Sequence, residues 1–453
     1  MRSVMQTDWS KAAFREREDR VMANFDTKKL HAGYDPKQHF NAVSVPIYAT
    51  AAFELGTVAH SDDMFSFDSW DPLYSRLSNP TTDVLEARIM ELHNATACVS
   101  LASGMAAVTY ALLNVTAGSG RILATPRLYG GSIDSFTQVF RENHVSYDIV
   151  EDPDDVSSYE KAIREDTKVI FIESLTNPNA TVLDLEAIAD VAHRHQIPLI
   201  VDNTLATPYL LNPFDFGADI VVYSATKGLS GHGNVIAGLV VENNQFDWTN
   251  GKFPQFLDTP YFLRAQTGEP RNYLDVFPDG PFTGRIRGIH LNYLGAALSP
   301  FSGYLVLLGL ETLSERIEKQ LANTKKVLSF LESRVGREVL WVKHPWVKGN
   351  PYAKLAQKYF PKGAGNILSF GLAGDTAQRI RFLEAVQVFG FQANIGDAKS
   401  LIINPSTTTH TELEPEMQAA ADISDITIRL SIGLEDADDL TEDLLQAFAA
   451  AGL

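Results

Sequence analysis

Continuous apolar runs alternate with helical patterns of hydrophobic residues through the middle of the chain. The apolar runs predict strands at 96–101, 121–125, 145–150, 168–173, 197–202, 218–223 and 234–241. Hydrophobic residues at helical spacing predict a helix that starts at Asn79-Pro80-Thr81 and further helices at 104–114, 131–143, 157–165 and 184–195. Apolar strands that alternate with helices are typical of a mostly parallel sheet covered on both faces. The predicted fold class is therefore α/β, and ligands of such sheets bind at the carboxyl ends of the strands.

The beginning of the chain and the stretch 244–290 have a different pattern. Residues 1–75 contain no long periodic element but carry several aromatic residues, including Phe53, Phe65 and Trp70. Such a segment cannot bury its own rings, so it is predicted to be an arm that lies on a neighbouring subunit or on the next domain. The stretch 244–290 is rich in proline and is predicted to be a long insertion with a functional or interfacial role.

The last third of the chain predicts a smaller α+β domain. A long helical pattern covers 299–335, followed by strands near 338–342, 366–372, 400–403 and 426–432 and helices near 376–388 and 437–450. These patterns divide the chain into an arm at 1–75, a large domain at 76–298 that contains the insertion, and a C-terminal domain at 299–453. A chain of 453 residues is long enough to build two hydrophobic cores.

The composition excludes several classes of protein. The 38 basic and 56 acidic residues give a net charge of −18 without a basic run, which argues against binding to nucleic acid or to an anionic membrane surface. The single cysteine, Cys98, excludes an intrachain disulfide framework, and its apolar neighbours predict a buried structural thiol. No metal-binding motif is present. The charged start lacks the apolar core of a secretory signal and no apolar run reaches membrane-spanning length, so a cytoplasmic protein is expected.

The most informative chemistry lies where the apolar run at 218–223 ends in Ser224, Thr226 and Lys227. Desolvation destabilises an ammonium group at the mouth of a buried strand and lowers its pKa. A lysine of this kind suits a Schiff base with a carbonyl cofactor. Ser224 and Thr226 are two residues apart, so both hydroxyls can face a phosphate from the same side of an extended chain. Taken alone, a segment of this kind is more often a plain strand terminus.

A carboxylate stands at the end of the preceding strand. Asp202 closes the apolar run at 197–202, and the carboxyl ends of adjacent parallel strands lie within reach of one flat ligand. An acid that keeps a pyridine nitrogen protonated and a lysine that forms a Schiff base are the two protein groups that pyridoxal 5'-phosphate requires. The alternative for Asp202 is a helix cap or an ion-paired acid.

A phosphate cradle is predicted at Ser103-Gly104-Met105, where a strand gives way to a helix. Gly104 allows the backbone to approach a ligand closely, and the helix N-terminus offers unpaired N–H groups and the positive end of the helix dipole. A tight turn without a ligand is the alternative.

Further candidates follow other strands. Tyr129 stands beside two glycines, which let its ring lie flat on a cofactor. Glu173 and Asn177 follow the strand at 168–173, where Asn177 can reach the ring hydroxyl of the cofactor. Arg429 lies in an apolar strand of the last domain and can form a bidentate clamp on a substrate carboxylate, although buried arginines are also common in structural pairs.

Together these residues resemble the pyridoxal-phosphate enzymes of cysteine and methionine metabolism. The resemblance runs from about Thr27 to Leu453. It is carried, in chain order, by Tyr74-Ser75-Arg76 with Asn79-Pro80-Thr81, Ser103-Gly104-Met105-Ala106-Ala107, Tyr129-Gly130-Gly131, Glu173 with Asn177-Pro178, Val201-Asp202-Asn203-Thr204, Ser224-Ala225-Thr226-Lys227, Ser299-Pro300-Phe301 and Arg429-Leu430-Ser431. It implies the aspartate-aminotransferase-like fold (fold type I), with a mostly parallel large domain and a smaller α+β C-terminal domain.

The resemblance also implies roles for individual residues. Lys227 would form the Schiff base, Asp202 would partner the pyridinium nitrogen, and Tyr129 would stack on the ring and assist proton movement. The cofactor would also be held by Ser103, Gly104, Met105, Asn177, Thr204, Ser224 and Thr226, and by Tyr74 and Arg76 of the neighbouring subunit. The substrate would be held by Arg429, Ser400, Asn177 and Tyr129. Sites shared in this way imply a homodimer, usually within a homotetramer.

Within this family the chain most resembles the O-acetylhomoserine sulfhydrylase branch, because of the insertion at 244–290 and the segments Ser400-Leu401-Ile402 and Thr408-Thr409-His410. The implied reaction is γ-replacement of acetate on O-acetyl-L-homoserine by sulfide or a thiol, giving L-homocysteine or methionine. The alternatives are a γ-lyase acting on methionine or cystathionine and a cystathionine γ-synthase. Gly131 disfavours a methionine γ-lyase, which typically has cysteine there.

Two residues depart from the sulfhydrylase pattern. Asn404 and Ser406 stand where histidine and alanine are usual, so the natural sulfur donor and the acyl group of the ester stay open. Other classes are less compatible with the sequence. A nucleotide-dependent oxidoreductase is disfavoured because no G-x-G-x-x-G follows an early strand, and a binding protein would have no use for Lys227, Asp202 and Tyr129 together.

Overall fold

A seven-stranded sheet forms the centre of the larger part of the molecule. The computed structural model describes residues 24–411 and 414–453. The strands are β1 Ala97–Leu101, β2 Gly120–Ala124, β3 Val145–Ile149, β4 Thr167–Glu173, β5 Leu199–Asp202, β6 Ile220–Ser224 and β7 Gly238–Glu242. Their spatial order is β1-β7-β6-β5-β4-β2-β3, and β7 is antiparallel to both of its neighbours while the other strands share one direction. The predicted α/β fold with a mostly parallel sheet is confirmed.

Helices surround this sheet and continue into the rest of the chain. They are α1 Phe25–His31, α2 Val58–Phe65, α3 Pro80–His93, α4 Gly104–Thr116, α5 Gly130–Ser135, α6 Val156–Ala162, α7 Leu185–Arg194, α8 Thr207–Leu210, α9 Tyr273–Val276, α10 Pro281–Arg285, α11 Asn292–Leu294, α12 Pro300–Glu311, α13 Leu313–Glu332, α14 Ala353–Tyr359, α15 Thr376–Ala385, α16 Pro415–Ala420 and α17 Ala437–Ala451. Asn79 caps α3 as the sequence predicts, since its side chain accepts a hydrogen bond from the Thr81 amide at 3.0 Å.

Two predicted helices differ from the structure. The helix predicted over 131–143 is α-helical only to Ser135 and continues as a π-helical turn, Phe136–Phe140. The helix predicted over 299–335 breaks at Thr312, whose backbone (φ −118°, ψ 20°) lies outside the α-helical region. The apolar pattern continues through both sites because both halves of each segment pack on the core, so periodicity alone could not locate the breaks.

A second sheet lies in the C-terminal part. It has five strands in the order β10-β11-β12-β9-β8. Their bounds are β8 Val339–Lys343, β9 Ile367–Leu372, β10 Gly390–Phe391, β11 Leu401–Ile403 and β12 Thr427–Ser431. Helices α13, α15 and α17 cover it with a separate hydrophobic core in which Phe370, Phe382 and Phe448 pack together. The smaller α+β unit is as predicted, apart from the short β10, which the sequence does not indicate.

The stretch 244–290 is part of the packed structure. Trp248, Phe253 and Phe256 are buried in the main core. Tyr273, with neighbouring apolar residues, forms a small cluster against Phe67 of the N-terminal segment. The insertion therefore holds part of the predicted arm against the large unit.

Other apolar residues of that arm lie at the surface. Phe40 is 97% exposed and Val43 92% exposed. Residues 1–23 of the predicted arm lie outside the described residues, and its contact with a neighbouring subunit stays a prediction. Over the described ranges, no helix combines the length and the apolar character needed to cross a membrane.

Candidate active site

The carboxyl ends of β4, β5 and β6 bring three of the sequence-predicted segments together. Glu173, at the end of β4, is paired in register with Asp202, at the end of β5. Asp202 is in turn paired with Val222 of β6, two residues before Ser224. Because these strands are parallel and adjacent, the polar residues that follow them share one edge of the sheet.

Lys227 lies just beyond β6 and is half-buried. Its Nζ donates a hydrogen bond to Oδ1 of Asn394 at 2.7 Å. Burial, and then the positive charge of Arg429, lower the pKa of Lys227 from 10.5 to about 8, while Asp397 opposes the shift. The neutral amine, the form that adds to a carbonyl group, is therefore far more abundant near physiological pH than it is for an ordinary lysine.

Arg429 connects the same residues from β12. Its side chain is 2% exposed, and its two terminal nitrogens donate to Asn177 Oδ1 at 3.0 Å and to the Asn394 carbonyl at 2.9 Å. Burial lowers the pKa of Arg429 to about 9. Within the described ranges no carboxylate forms an ion pair with Arg429, and its Nε has no hydrogen-bond partner. A buried cation without a counter-ion suits an anionic ligand such as a carboxylate.

Asp202 has a partner on its own loop. Its Oδ1 accepts a hydrogen bond from the Thr204 amide at 2.9 Å. The Thr204 hydroxyl accepts one from the Ser224 amide at 2.8 Å, so this threonine ties the ends of β5 and β6 together. Burial raises the pKa of Asp202, although the hydrogen bonds with Thr204 oppose the rise.

The predicted phosphate cradle is closely packed. Ser103 caps α4, and its hydroxyl accepts a hydrogen bond from the Ala106 amide at 3.1 Å. A β-carbon on residue 104 would lie 2.5 Å from the Cβ of Ser224, so only glycine lets the N-terminus of α4 come this close to β6. Met105 follows as the second residue of α4 and is half-buried. These residues and the end of β6 therefore form one polar surface at the positive end of a helix.

Thr226 is in a different position from Ser224. Its hydroxyl accepts from the Ala237 amide at 3.0 Å and donates to the Ala237 carbonyl at 3.3 Å. Thr226 therefore joins the turn after β6 to the start of β7, and its predicted role toward a phosphate stays untested.

The segment Tyr129-Gly130-Gly131 lies against both Glu173 and the C-terminal part of the chain. The Tyr129 amide donates to Glu173 Oε1 at 2.5 Å, and the tyrosine side chain is 43% exposed. A β-carbon on residue 130 would lie 2.7 Å from the Thr409 carbonyl oxygen, and one on residue 131 would lie 2.7 Å from the Tyr129 ring. Gly130 therefore allows the close approach of the Thr409 main chain, and Gly131 allows the present position of the tyrosine ring.

Ser400 has other partners than those predicted. It is fully buried, and its hydroxyl donates to Glu435 Oε2 at 2.8 Å and accepts from the Gly433 amide at 2.8 Å. Its amide donates to Glu435 Oε1 at 2.7 Å. The hydrogen bonds of Ser400 thus go to the Gly433–Glu435 segment and not to Arg429, and its predicted role as a substrate ligand stays untested.

Tyr74 and Arg76 lie apart from this cluster. Both are exposed, and the Arg76 guanidinium lies 5.3 Å from the centre of the Tyr74 ring. Among the residues that the structure describes, no hydrogen bond or ion pair connects either side chain to Lys227, Asp202 or Arg429. That Tyr74 and Arg76 bind the cofactor of a neighbouring subunit stays a prediction.

Sequence reasoning missed three residues of the site. Asn394 contacts Lys227 and Arg429, and Asp397 accepts from the Asn394 side-chain amide at 3.4 Å. Arg316 of α13 donates to the Gly228 carbonyl at 2.9 Å and so holds the turn that follows Lys227. Asn394 lies 167 residues from Lys227 in sequence, on a loop without a periodic pattern. The only local signal was the polar cluster Asn394-Ile395-Gly396-Asp397.

The two departures from the sulfhydrylase pattern form a local structure. Asn404 Oδ1 accepts from the Ser406 amide at 3.0 Å and from the Ser406 hydroxyl at 2.7 Å. The Asn404 amide group donates to the Asp425 carbonyl at 2.7 Å. This turn leads to His410, which is fully buried near Arg429 and whose Nε2 has no hydrogen-bond partner among the described residues. Asn404 and Ser406 therefore shape the turn that packs on Gly130.

The chain matches the model of a protein family over residues 26–449, and that family is described as Cys/Met metabolism PLP-dependent enzyme. A protein named O-acetyl-L-homoserine sulfhydrylase from Corynebacterium glutamicum is 37% identical over 431 residues, which cover 94% of this chain and 97% of that protein. Homocysteine synthase from Schizosaccharomyces pombe is 36% identical over 433 residues, covering 94% and 99%.

A solved structure shows the same architecture. It comes from Campylobacter jejuni, is named for O-acetylhomoserine (thiol)-lyase and contains a pyridoxyl-lysine 5'-phosphate residue. The two chains are 37% identical, the TM-score is 0.88, and the match covers 94% of this chain and all of the other. The likeness therefore extends over the whole fold.

Proposed function

The chain belongs to the family of Cys/Met metabolism PLP-dependent enzymes, and we propose that within this family it is an O-acetylhomoserine sulfhydrylase. It would replace the acetate of O-acetyl-L-homoserine by sulfide or a thiol and release L-homocysteine or methionine. The observation that carries an enzymatic role is that Asn394 joins the Lys227 amine, through its side-chain oxygen, to the buried guanidinium of Arg429, through its main-chain carbonyl. The named sulfhydrylases that match nearly the full chain support the choice of substrate.

The residues present fit pyridoxal 5'-phosphate. A lysine with a lowered pKa and an acid at the next strand end stand at one edge of the sheet. Gly104 lets the N-terminus of α4 pack directly against Ser224, so that the amide end of the helix and a hydroxyl group stand side by side, as a phosphate site requires. We propose that Ser103, Gly104, Met105, Ser224 and Thr226 hold the phosphate, and that Asn177 and Thr204 contact the ring substituents.

When bound, the cofactor supplies an aldehyde that captures the substrate amine and a ring that withdraws electrons from the substrate. Asp202 would hold the proton on the ring nitrogen. Arg429 and Asn177 would bind the substrate carboxylate, because Arg429 is a buried cation without a counter-ion among the described residues. The neutral amine of Lys227 would remove the proton from Cα and move a proton at Cβ, and Tyr129 would assist at the departing acetate.

The exposed positions of Tyr74 and Arg76 support a shared site. These side chains would complete the cofactor site of a neighbouring subunit, which requires at least a homodimer, and we expect a homotetramer. The arm at 1–75 and the first residue of the large domain would supply this contact; the large cofactor-binding domain covers 76–298 and the C-terminal domain 299–453. Since the substrates are small water-soluble molecules, we place the reaction in the cytoplasm.

Product analysis tests the proposal. The purified enzyme is incubated with O-acetyl-L-homoserine, with and without sulfide, and homocysteine and 2-oxobutyrate are measured. We expect homocysteine only when sulfide is present, with little 2-oxobutyrate. Abundant 2-oxobutyrate irrespective of sulfide would identify a γ-lyase instead and would contradict the proposal.

A further inference from the structure

Glu173 is a buried carboxyl group in the centre of the candidate site. It ends β4 beside Asp202, and 6% of its surface is exposed. Within residues 24–411 and 414–453 no lysine, arginine or histidine forms an ion pair with it. A buried carboxyl group without a cation is costly unless its oxygens accept hydrogen bonds or it stays protonated.

Both oxygens of Glu173 do accept hydrogen bonds from main-chain amides. Oε1 accepts from Tyr129 at 2.5 Å and Oε2 accepts from Asn177 at 3.3 Å. The first amide belongs to the loop after β2 and the second to the loop after β4. One side chain thus fixes the backbone of the tyrosine at the ring face and of the asparagine that meets Arg429.

The charge state of the pair with Asp202 supports the same arrangement. Burial, and then the nearby charge of Asp202, raise the pKa of Glu173 well above its usual range. Asp202 has the amide and the hydroxyl of Thr204 as partners, which favour its ionised form. Of the two acids, Asp202 is therefore the one that carries a negative charge more readily, and it is the acid that faces the cofactor nitrogen in the proposed function.

We propose that Glu173 is a positioning residue: its carboxyl group holds the main chain at Tyr129 and at Asn177, so that the tyrosine ring and the amide are aligned on the cofactor with Asp202. This inference rests on the placement of the cofactor in the proposed function. It does not depend on which amino acid is the substrate.

Glu242 offers a matched control in the same sheet. It ends β7, is 1% exposed, and accepts hydrogen bonds from the amides of Phe282 at 3.2 Å and Thr283 at 2.9 Å. Because β7 is antiparallel, Glu242 lies at the opposite edge of the sheet from Glu173. The two glutamates therefore make the same kind of structural bond, but only one is at the candidate site.

The experiment compares Glu173→Gln, Glu173→Ala and Glu242→Gln in the cofactor-loaded enzyme. The readouts are the dissociation constant of pyridoxal phosphate and the induced circular dichroism of the bound cofactor, which reports how the ring is held. An amide can accept only one of the two bonds, so Glu173→Gln should raise the dissociation constant about tenfold, and Glu173→Ala by roughly a hundredfold. Both should change the induced signal, whereas Glu242→Gln should stay within about twofold of wild type.

Two outcomes would overturn the inference. One is a Glu173→Ala enzyme with wild-type affinity and an unchanged cofactor signal. The other is a Glu242→Gln enzyme that loses as much cofactor affinity as Glu173→Gln, because the loss would then reflect a general decrease in protein stability. A wild-type enzyme that binds the cofactor but does not convert O-acetyl-L-homoserine would refute the proposed substrate, and the cofactor measurements would still decide the role of Glu173.

Discussion

Lys227 should titrate near pH 8, and its two charged neighbours should move this value in opposite directions. The lowered pKa is caused first by burial and then by Arg429, while Asp397 raises it. Replacing Arg429 by glutamine removes one lowering cause, so the pKa of Lys227 should rise. Replacing Asp397 by asparagine removes the raising cause, so the pKa should fall. Burial remains in both variants, so neither should restore the ordinary value.

The size of the wild-type effect follows from the structure. The difference between 10.5 and about 8 corresponds to about 3 kcal/mol in favour of the neutral amine. At about pH 7.5, roughly a quarter of Lys227 is then neutral, compared with about one part in a thousand for an ordinary lysine. The site thereby raises the concentration of the reactive amine by more than a hundredfold.

The assay is the rate of acetylation of Lys227 as a function of pH, in protein from which the cofactor has been removed. Digestion and mass spectrometry identify the Lys227 peptide, and the peptide with the exposed Lys37 gives a reference rate in the same sample. The wild-type profile should have its midpoint near 8. A midpoint near 10.5, or shifts in the same direction for Arg429→Gln and Asp397→Asn, would refute this account of the site.

Three further experiments test other parts of the site. Asp202→Asn should keep the cofactor but lower kcat on the order of a hundredfold, because the ring nitrogen loses its anionic partner; turnover close to wild type would contradict the assigned role. Gly104→Ala should weaken cofactor binding at least about tenfold, because the new β-carbon would meet Ser224. Gly288→Ala is the control, since its β-carbon would have its nearest contact at an ordinary 3.6 Å and should leave cofactor binding unchanged. Equal cofactor-binding curves for the two variants would exclude a steric role for Gly104. Arg76→Ala and Lys227→Ala should each be inactive alone but recover activity when their subunits are mixed, and the absence of recovery would show that Arg76 does not serve a neighbouring subunit.

The positions of the strands and of the main site residues followed from local patterns. Each apolar run that ended in a polar residue became a buried strand with that residue at the carboxyl edge, as Asp202 and Glu173 show. Helix starts were equally readable, because Asn79 and Ser103 are residues that cap helices and both do so here. These predictions depend on hydrogen bonding and burial within a few residues, which the sequence expresses directly.

Breaks within apolar segments were not readable in this way. The helix over 299–335 continues its hydrophobic pattern through Thr312, although the backbone there leaves the helical region. Ser400 also has partners that the sequence did not indicate, since Glu435 and Gly433 reach it through the packing of the last segments. For Ser400 the deciding contacts come from residues 33 and 35 positions away in the sequence.

The sequence by itself determined where the buried strands lie along the chain, which polar residues stand at their carboxyl ends, and the family. Only the tertiary structure decided that Asn394 meets Lys227, that Arg429 meets Asn177, and that Glu173 joins two loops. The physical reason is that periodicity and capping reflect interactions between neighbouring residues. Contacts such as that between Lys227 and Asn394 form only when the two sheets and their loops pack against each other.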